Sequence, residues 1–230
     1  MENRSMGPVH IPPRFVHETF GRLRGLRALL GSLDTGLPEA AWHEEEELQR
    51  RAETGDLEYS DLQVETQLKD ERFQFWVPRF AGYSAITLVH SLVETQLFEC
   101  VAAVRTKVGA PSPVTKRRGI DRARNQLRMV TDFDVSKDLA WSSLLDLENI
   151  RNFLVHSGGV PTDDAQTRWL ARLADDYKGK LWMSDGLYWY NRHLVVTLRL
   201  GAQFVETADG FFRRVFPMCG LSVEGVRLVK

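Results

Sequence analysis

Cysteine is scarce in this chain: Cys100 and Cys219 are the only two among 230 residues. Two cysteines without metal-ligand spacing exclude a disulfide scaffold and fit a reduced, intracellular protein. Long apolar runs are missing as well. None approaches the roughly 20 residues that cross a bilayer, and Met1-Glu2-Asn3-Arg4 does not lead into the apolar core of a signal peptide. Nor is there an excess of either charge. Lys and Arg total 30 against 31 Asp and Glu, for a net charge of −1 and a pI near 6.6, so no global basic signature marks a nucleic-acid binder. Glycine-rich phosphate loops of the Walker or Rossmann kind are absent, as is Gly-x-Ser-x-Gly. His17, His43, His90 and His193 share no spacing with Asp, Glu or Cys that would build a metal site. The expectation is a soluble, cytoplasmic protein that needs no metal and no cofactor and has no membrane partner.

What is present suits one globular domain with extensions: 43% of the residues are hydrophobic, enough to bury a core without staples. The neutral total hides an uneven distribution. From Glu39 to Glu71 there are twelve acidic and three basic residues; from Arg105 to Arg128 there are eight basic residues and one acidic, Asp121. An acidic half thus precedes a basic strip.

The pattern predicts an all-α fold. Residues 1–13, with Gly7, Pro8, Pro12 and Pro13, read as an irregular arm. A helix is expected from Arg14 to Leu30, stopped by Gly31. Gly36 and Pro38 then mark a turn, and an acidic helix follows to Arg51, broken by Gly55-Asp56. Leu57 to Gln67 is open between strand and loop. The first strong helix spans Arg79 to Val108, because Ile86, Val89, Val93, Leu97, Cys100 and Val104 recur at the helical period. Leu88, Leu92 and Val101 widen that stripe and imply cover on two sides. A helix from Lys116 to Val130 carries the basic strip. After a break at 131–134, Ser136 caps a helix from Lys137 to Ser157, with Ala140, Leu144, Leu147, Arg151 and Leu154 on one stripe. Thr162-Asp163-Asp164 starts a short helix to Ala174. A hairpin or ordered loop around Asp185-Gly186 occupies 178–191, and a last helix runs from Arg192 to Phe216, stopped by Pro217. The division expected is an N-terminal arm and acidic helical extension over 1–78, a helical domain over 79–216 and a tail over 217–230.

The segment most informative for chemistry is Arg151-Asn152-Phe153-Leu154-Val155-His156-Ser157-Gly158-Gly159. It sets an arginine and a histidine five positions apart at the end of a helix that two glycines stop. Five residues correspond to about 140° of rotation, so the two side chains border a groove from opposite sides instead of stacking on one face. A guanidinium grips phosphate and an imidazole transfers protons near neutral pH, the two functions that RNA cleavage needs. Asn152 is placed to hold either. The bland alternative is an ion pair between Arg151 and Glu94 or Glu148, with His156 capping the helix C-terminus.

Arg151-Asn152-x-x-x-His156 resembles the R-x4-6-H signature of HEPN domains. Tyr83 to Leu97, an apolar helix with an interior glutamate, is similar to that family's first core helix. Arg122 to Val130 resembles the element before the motif helix, and Leu194 to Phe216 the closing one. The likeness covers Arg79 to Phe216; residues 1–78 have no counterpart. It implies a HEPN-like helical bundle with an N-terminal helical extension and a small hairpin before its last helix. It also implies a metal-independent endoribonuclease in a toxin, phage-defence or RNA-processing role, whose substrate's 2'-OH attacks its own phosphorus to leave a cyclic phosphate. On that pattern His156 is the general acid or base, Arg151 stabilises the transition state, Asn152 positions one of them, and Glu94 orients Arg151. A homodimer through the motif helix and a regulatory or antitoxin partner are implied too. Gly158 stands where a subset of the family has a tyrosine modified by a partner nucleotidyltransferase, which argues against that style of neutralisation. The alternative is a catalytically inactive HEPN scaffold that binds RNA or a protein partner.

Three further features accompany the motif. Lys116, Arg117, Arg118, Arg122 and Arg124 offer phosphate contacts for RNA, or else form a solvated helix face. Trp182, Tyr188, Trp189 and Tyr190 offer base stacking, or else cover a core. Glu44 to Glu47 read as a solvated face, or as a shield over the basic strip.

Overall fold

The computed structural model describes residues 14–111, 119–131, 133–184 and 192–223. The chain is mostly helical with one small two-stranded sheet. Its elements are α1 (Arg14–Glu53), α2 (Tyr59–Glu71), a π turn (Arg72–Trp76), α3 (Val77–Lys107), α4 (Ile120–Arg128), a 3-10 turn (Val135–Lys137), α5 (Trp141–Ser157), α6 (Asp164–Asp176), β1 (Leu181–Met183), β2 (Leu194–Val196) and α7 (Leu198–Met218). No described helix is long and apolar enough to cross a membrane.

Several expected boundaries are corrected. α1 is one helix through Gly31, Gly36 and Pro38. Neither glycine takes a positive φ, so neither marks a turn. Pro38 removes one backbone donor, while Leu30 and Leu48, on either side of it, are both buried and favour carrying the helix on. The ambiguous 57–67 stretch belongs mostly to α2. α2 runs into α3 through the π turn, where the Val77 N–H donates to Arg72 O, five residues back. The wider turn comes directly before Pro78, which has no donor of its own.

Asp134, not Ser136, is the capping side chain before α5, and it caps the 3-10 turn by accepting from the Ser136 N–H at 3.0 Å. α5 itself starts at Trp141, after Asp138 Oδ1 accepts from the Ala140 N–H at 2.9 Å. α4 starts at Ile120 instead of Lys116. The sheet also reaches beyond its expected span. Leu181 pairs with Val196, Trp182 with Val195 and Met183 with Leu194, antiparallel, so Leu194 is strand where helix was expected, and α7 starts four residues later. β-branched Val195 and Val196 suit the pleat better than a helix. α7 then passes through Pro217. Asp185-Gly186 lies outside the described residues.

The chain divides into two compact units. One comprises Met1–Gly25, Ser91–Glu148 and Val205–Lys230. Its core is aromatic: Phe15 and Phe20 pack edge-on against Phe216, Phe212 lies 5.1 Å from Phe216, and Trp141 lies 6.0 Å from Phe211. Cys100 and Cys219 are both free and buried there. The hydrogen bond between their thiols, together with burial, pushes Cys100 well up, and the same bond, against burial, draws Cys219 down.

The other unit comprises Leu26–His90 and Asn149–Phe204 and holds the motif. Its core includes Ile86, Val89, Ile150, Leu170, Leu194 and Phe204. Glycines set its close approaches: a Cβ on Gly82 would stand 1.8 Å from Val196 O, and one on Gly201 would stand 2.9 Å from Ala85 Cβ. The acidic run of α1 is partly paired within this unit. Glu45 binds the buried Lys69 ammonium and Glu44 binds Arg72 at 3.0 Å, so only part of the run is a solvated face. The Glu45 carboxyl falls and the Lys69 ammonium rises, each chiefly through that shared hydrogen bond.

Candidate functional site

α5 presents the motif. Leu144, Leu147, Ile150 and Leu154 are buried along it, which anchors the helix and leaves Arg151 and Asn152 half-buried at its edge. Arg151 Nη1 donates to Asn152 Oδ1 at 2.9 Å. Among the described residues its Nε is buried without a hydrogen-bond partner. Among the described residues Arg151 makes no ion pair. The bland alternative needed one. Glu148 instead accepts from the Ile120 N–H at 3.3 Å, at the start of α4. Glu94 lies half-buried on α3 and makes no ion pair among the described residues.

His156 sits exposed in the last turn of α5 and makes no hydrogen bond among the described residues. It does not close the helix. Gly158 and Gly159 follow at φ +62° and +80°, the left-handed conformation that ends helices and favours glycine. The carbonyl of Gly158 is taken by Arg79 Nη2 at 2.8 Å. Arg79 therefore holds the carbonyl that follows the helix end. Tyr83, Ser84, Thr87 and Leu88 of α3 and Leu154 and Val155 of α5 line an open groove of about 450 Å³ beside the motif. Leu88, expected to be covered, is 49% exposed there.

A half-buried guanidinium with an unpaired donor can take an anion, because a buried N–H without a partner costs roughly 1–3 kcal/mol until one arrives. A solvent-accessible imidazole stands on the same helix. This pair can bind a phosphate and move a proton.

The other candidates fare differently. Lys116, Arg117 and Arg118 lie outside the described residues, as do Tyr188, Trp189 and Tyr190. Arg124 is half-buried, 3.3 Å from Asp121 and 5.9 Å from the centre of the Trp141 ring. Arg122 is half-buried and makes no ion pair among the described residues. Arg105 and Lys107 donate to the carbonyls of Pro111 and Gly220 at 2.9 and 3.0 Å. Much of the described strip is thus tied to its own fold. Trp182 is 43% exposed and lines a separate cavity of about 310 Å³ with Leu37, Pro38, Phe73 and Pro78. Among the described residues no group of three His, Cys, Asp or Glu is placed to hold a metal.

Sequence reasoning missed Arg79 and Tyr83. The acceptor of Arg79 is a backbone carbonyl 79 residues away, which leaves no local signature. Family models, curated proteins and solved structures were each compared with the chain, and none matches.

Proposed function

We propose that this protein is a metal-independent endoribonuclease of the HEPN type. The observation that carries the reading is the Arg151 guanidinium: half-buried, steadied by Asn152, without an ion-pair partner among the described residues and with Nε unpaired. A phosphodiester is the anion that such a group and a nearby imidazole suit. In the reaction the ribose 2'-oxygen attacks the adjacent phosphorus and the P–O5' bond breaks, leaving a 2',3'-cyclic phosphate and a 5'-hydroxyl. His156 takes the 2'-OH proton or supplies one to the departing oxygen. Arg151 stabilises the negative charge that grows on the phosphoryl oxygens. Asn152 holds the guanidinium in place. The cycle needs one base and one acid, and two motif helices in a homodimer bring two imidazoles. RNA is the substrate partner, and a regulatory or antitoxin protein fits a toxin, defence or RNA-processing role.

The test is RNA cleavage in EDTA by wild type and His156→Ala, with analysis of product ends. Cyclic-phosphate ends from the wild type, lost in the variant, support the reading. RNA binding without cleavage by the folded wild type overturns it in favour of an inactive scaffold.

A further inference from the structure

Among the described residues His156 has no partner to orient its ring, so its position is only as fixed as the backbone beneath it. It stands in the last turn of a helix, where carbonyls lack intrahelical partners and ends fray. Here the turn that follows is held at successive points. Gly158 O accepts from Arg79 Nη2 at 2.8 Å. A Cβ on Gly159 would meet Tyr83 Oη at 2.1 Å, so the tyrosine ring lies against the bare Cα. Gly159 O accepts from the Leu194 N–H at 2.7 Å, and the Tyr83 hydroxyl donates to Leu194 O at 2.7 Å.

Arg79 and Tyr83 stand one turn apart on α3, where side chains are neighbours. The Arg79 guanidinium lies 5.8 Å from the Phe75 and Trp76 ring centres and 5.4 Å from that of Tyr83. A box of three rings suits a planar guanidinium better than an ammonium. Among the described residues its Nε is buried without a partner.

We propose that Arg79 and Tyr83 are positioning residues for His156, a clamp that fixes the imidazole by fixing the two glycines behind it. The functional meaning of the clamp rests on the ribonuclease reading; its structural effect on His156 does not. Misplacing a reacting group by about 1 Å costs on the order of 100-fold in rate, so the clamp acts on turnover rather than on RNA affinity.

The test uses the full chain with histidine labelled at Cε1, the His156 resonance being assigned by its loss in His156→Gln. Arg79→Gln is expected to move and broaden that resonance while the signals of the exposed His17 and His43 stay in place. In the cleavage assay the same variant is expected to lower kcat about 10- to 100-fold with KM within about twofold, and Arg79→Lys to restore part of the loss. Tyr83→Phe keeps the ring against Gly159 and gives a smaller shift of the same kind. An unmoved His156 resonance in both Arg79→Gln and Tyr83→Phe overturns the clamp. So does a shift of all histidine signals together with a lower Tm, which marks general loosening. A His156 signal that moves in a protein whose wild type cleaves no RNA keeps the clamp and overturns the ribonuclease reading instead.

Discussion

The start and the end of α5 each involve a prominent arginine, and the two are treated in opposite ways. At the start, Arg214 grips Asp138 with both arms, Nε to Oδ2 at 2.7 Å and Nη2 to Oδ1 at 2.8 Å. The carboxylate is almost fully buried and also caps the Ala140 N–H. At the end, Arg151 has one side-chain amide for company and an unpaired Nε. Both residues are cations beside a helix, and composition does not tell them apart. The accounting of partners does: a cation whose donors meet a carboxylate or a backbone carbonyl is part of the scaffold, and one that meets neither, as at Arg151, has donors to offer an anion.

The most severe way to break this comparison is to remove the open end. His156→Ala is expected to lower RNA cleavage by about 10³-fold, and Arg151→Ala by about 10²- to 10³-fold, measured by single-turnover kinetics. Thermal unfolding of Arg151→Ala should stay near wild type, because no ion pair is lost. A large fall in Tm for Arg151→Ala would put it in the same class as Arg214.

The closed end should respond in the reverse sense. Asp138→Asn keeps an acceptor for the Ala140 N–H and removes the charge that Arg214 binds. Two charge-assisted hydrogen bonds are weakened on a guanidinium that is 45% exposed, so a loss of about 2 kcal/mol is expected, roughly 5 °C in Tm for a chain of this size, with cleavage unchanged. Equal damage to cleavage would mean that the two ends are not separable.

Acid sharpens the same contrast. The Arg214 guanidinium, through its hydrogen bonds, holds the Asp138 carboxyl below its usual range, and the Ala140 N–H adds to this. The folded state therefore binds fewer protons than the unfolded one, where the value is about 3.9. The contribution is fully present above that pH and is lost as pH falls through the lower folded value. The gap in stability between wild type and Asp138→Asn should be constant near neutrality and close below about pH 4, as read by urea denaturation across pH. A gap that persists at low pH would show that the charge is not its source.

What sequence revealed follows the same division between local and distant causes. The stripe Ile86, Val89, Val93, Leu97, Cys100 and Val104 is buried throughout, because periodicity is a local property of one helix. Gly158 takes the positive φ expected of it, and Asp163 caps α6 by accepting from the Gln166 N–H. Pro38 misled because the burial of Leu30 and Leu48, roughly 1.5–3 kcal/mol each, offsets a cost of about 3 kcal/mol. Leu194 misled because its pairing with Met183 lies across the sheet, and nothing in a helical count records a strand partner. At the site, Arg151, Asn152 and His156 were visible as a motif on one helix. Arg79 and Tyr83 were not, since they act on backbone atoms far away in sequence.

The mildest test applies partner accounting to the basic strip. Arg122 makes no ion pair among the described residues, whereas Arg124, two positions on, is engaged by Asp121 and lies over Trp141. A guanidinium that contacts an RNA phosphate releases counterions, and for single strands each contact adds about 0.7 to the slope of log affinity against log salt. Arg122→Ala should therefore reduce that slope by somewhat less than one unit and weaken binding a few-fold at low salt. Arg124→Ala should leave the slope unchanged, because its charge is already neutralised by Asp121, and should instead slightly lower Tm through the lost ring contact. The measurement is a salt titration of RNA binding using the His156→Ala protein, which keeps the substrate intact. Equal slopes for both variants and wild type would assign the described part of the strip to solvent and leave the motif helix as the phosphate-binding surface.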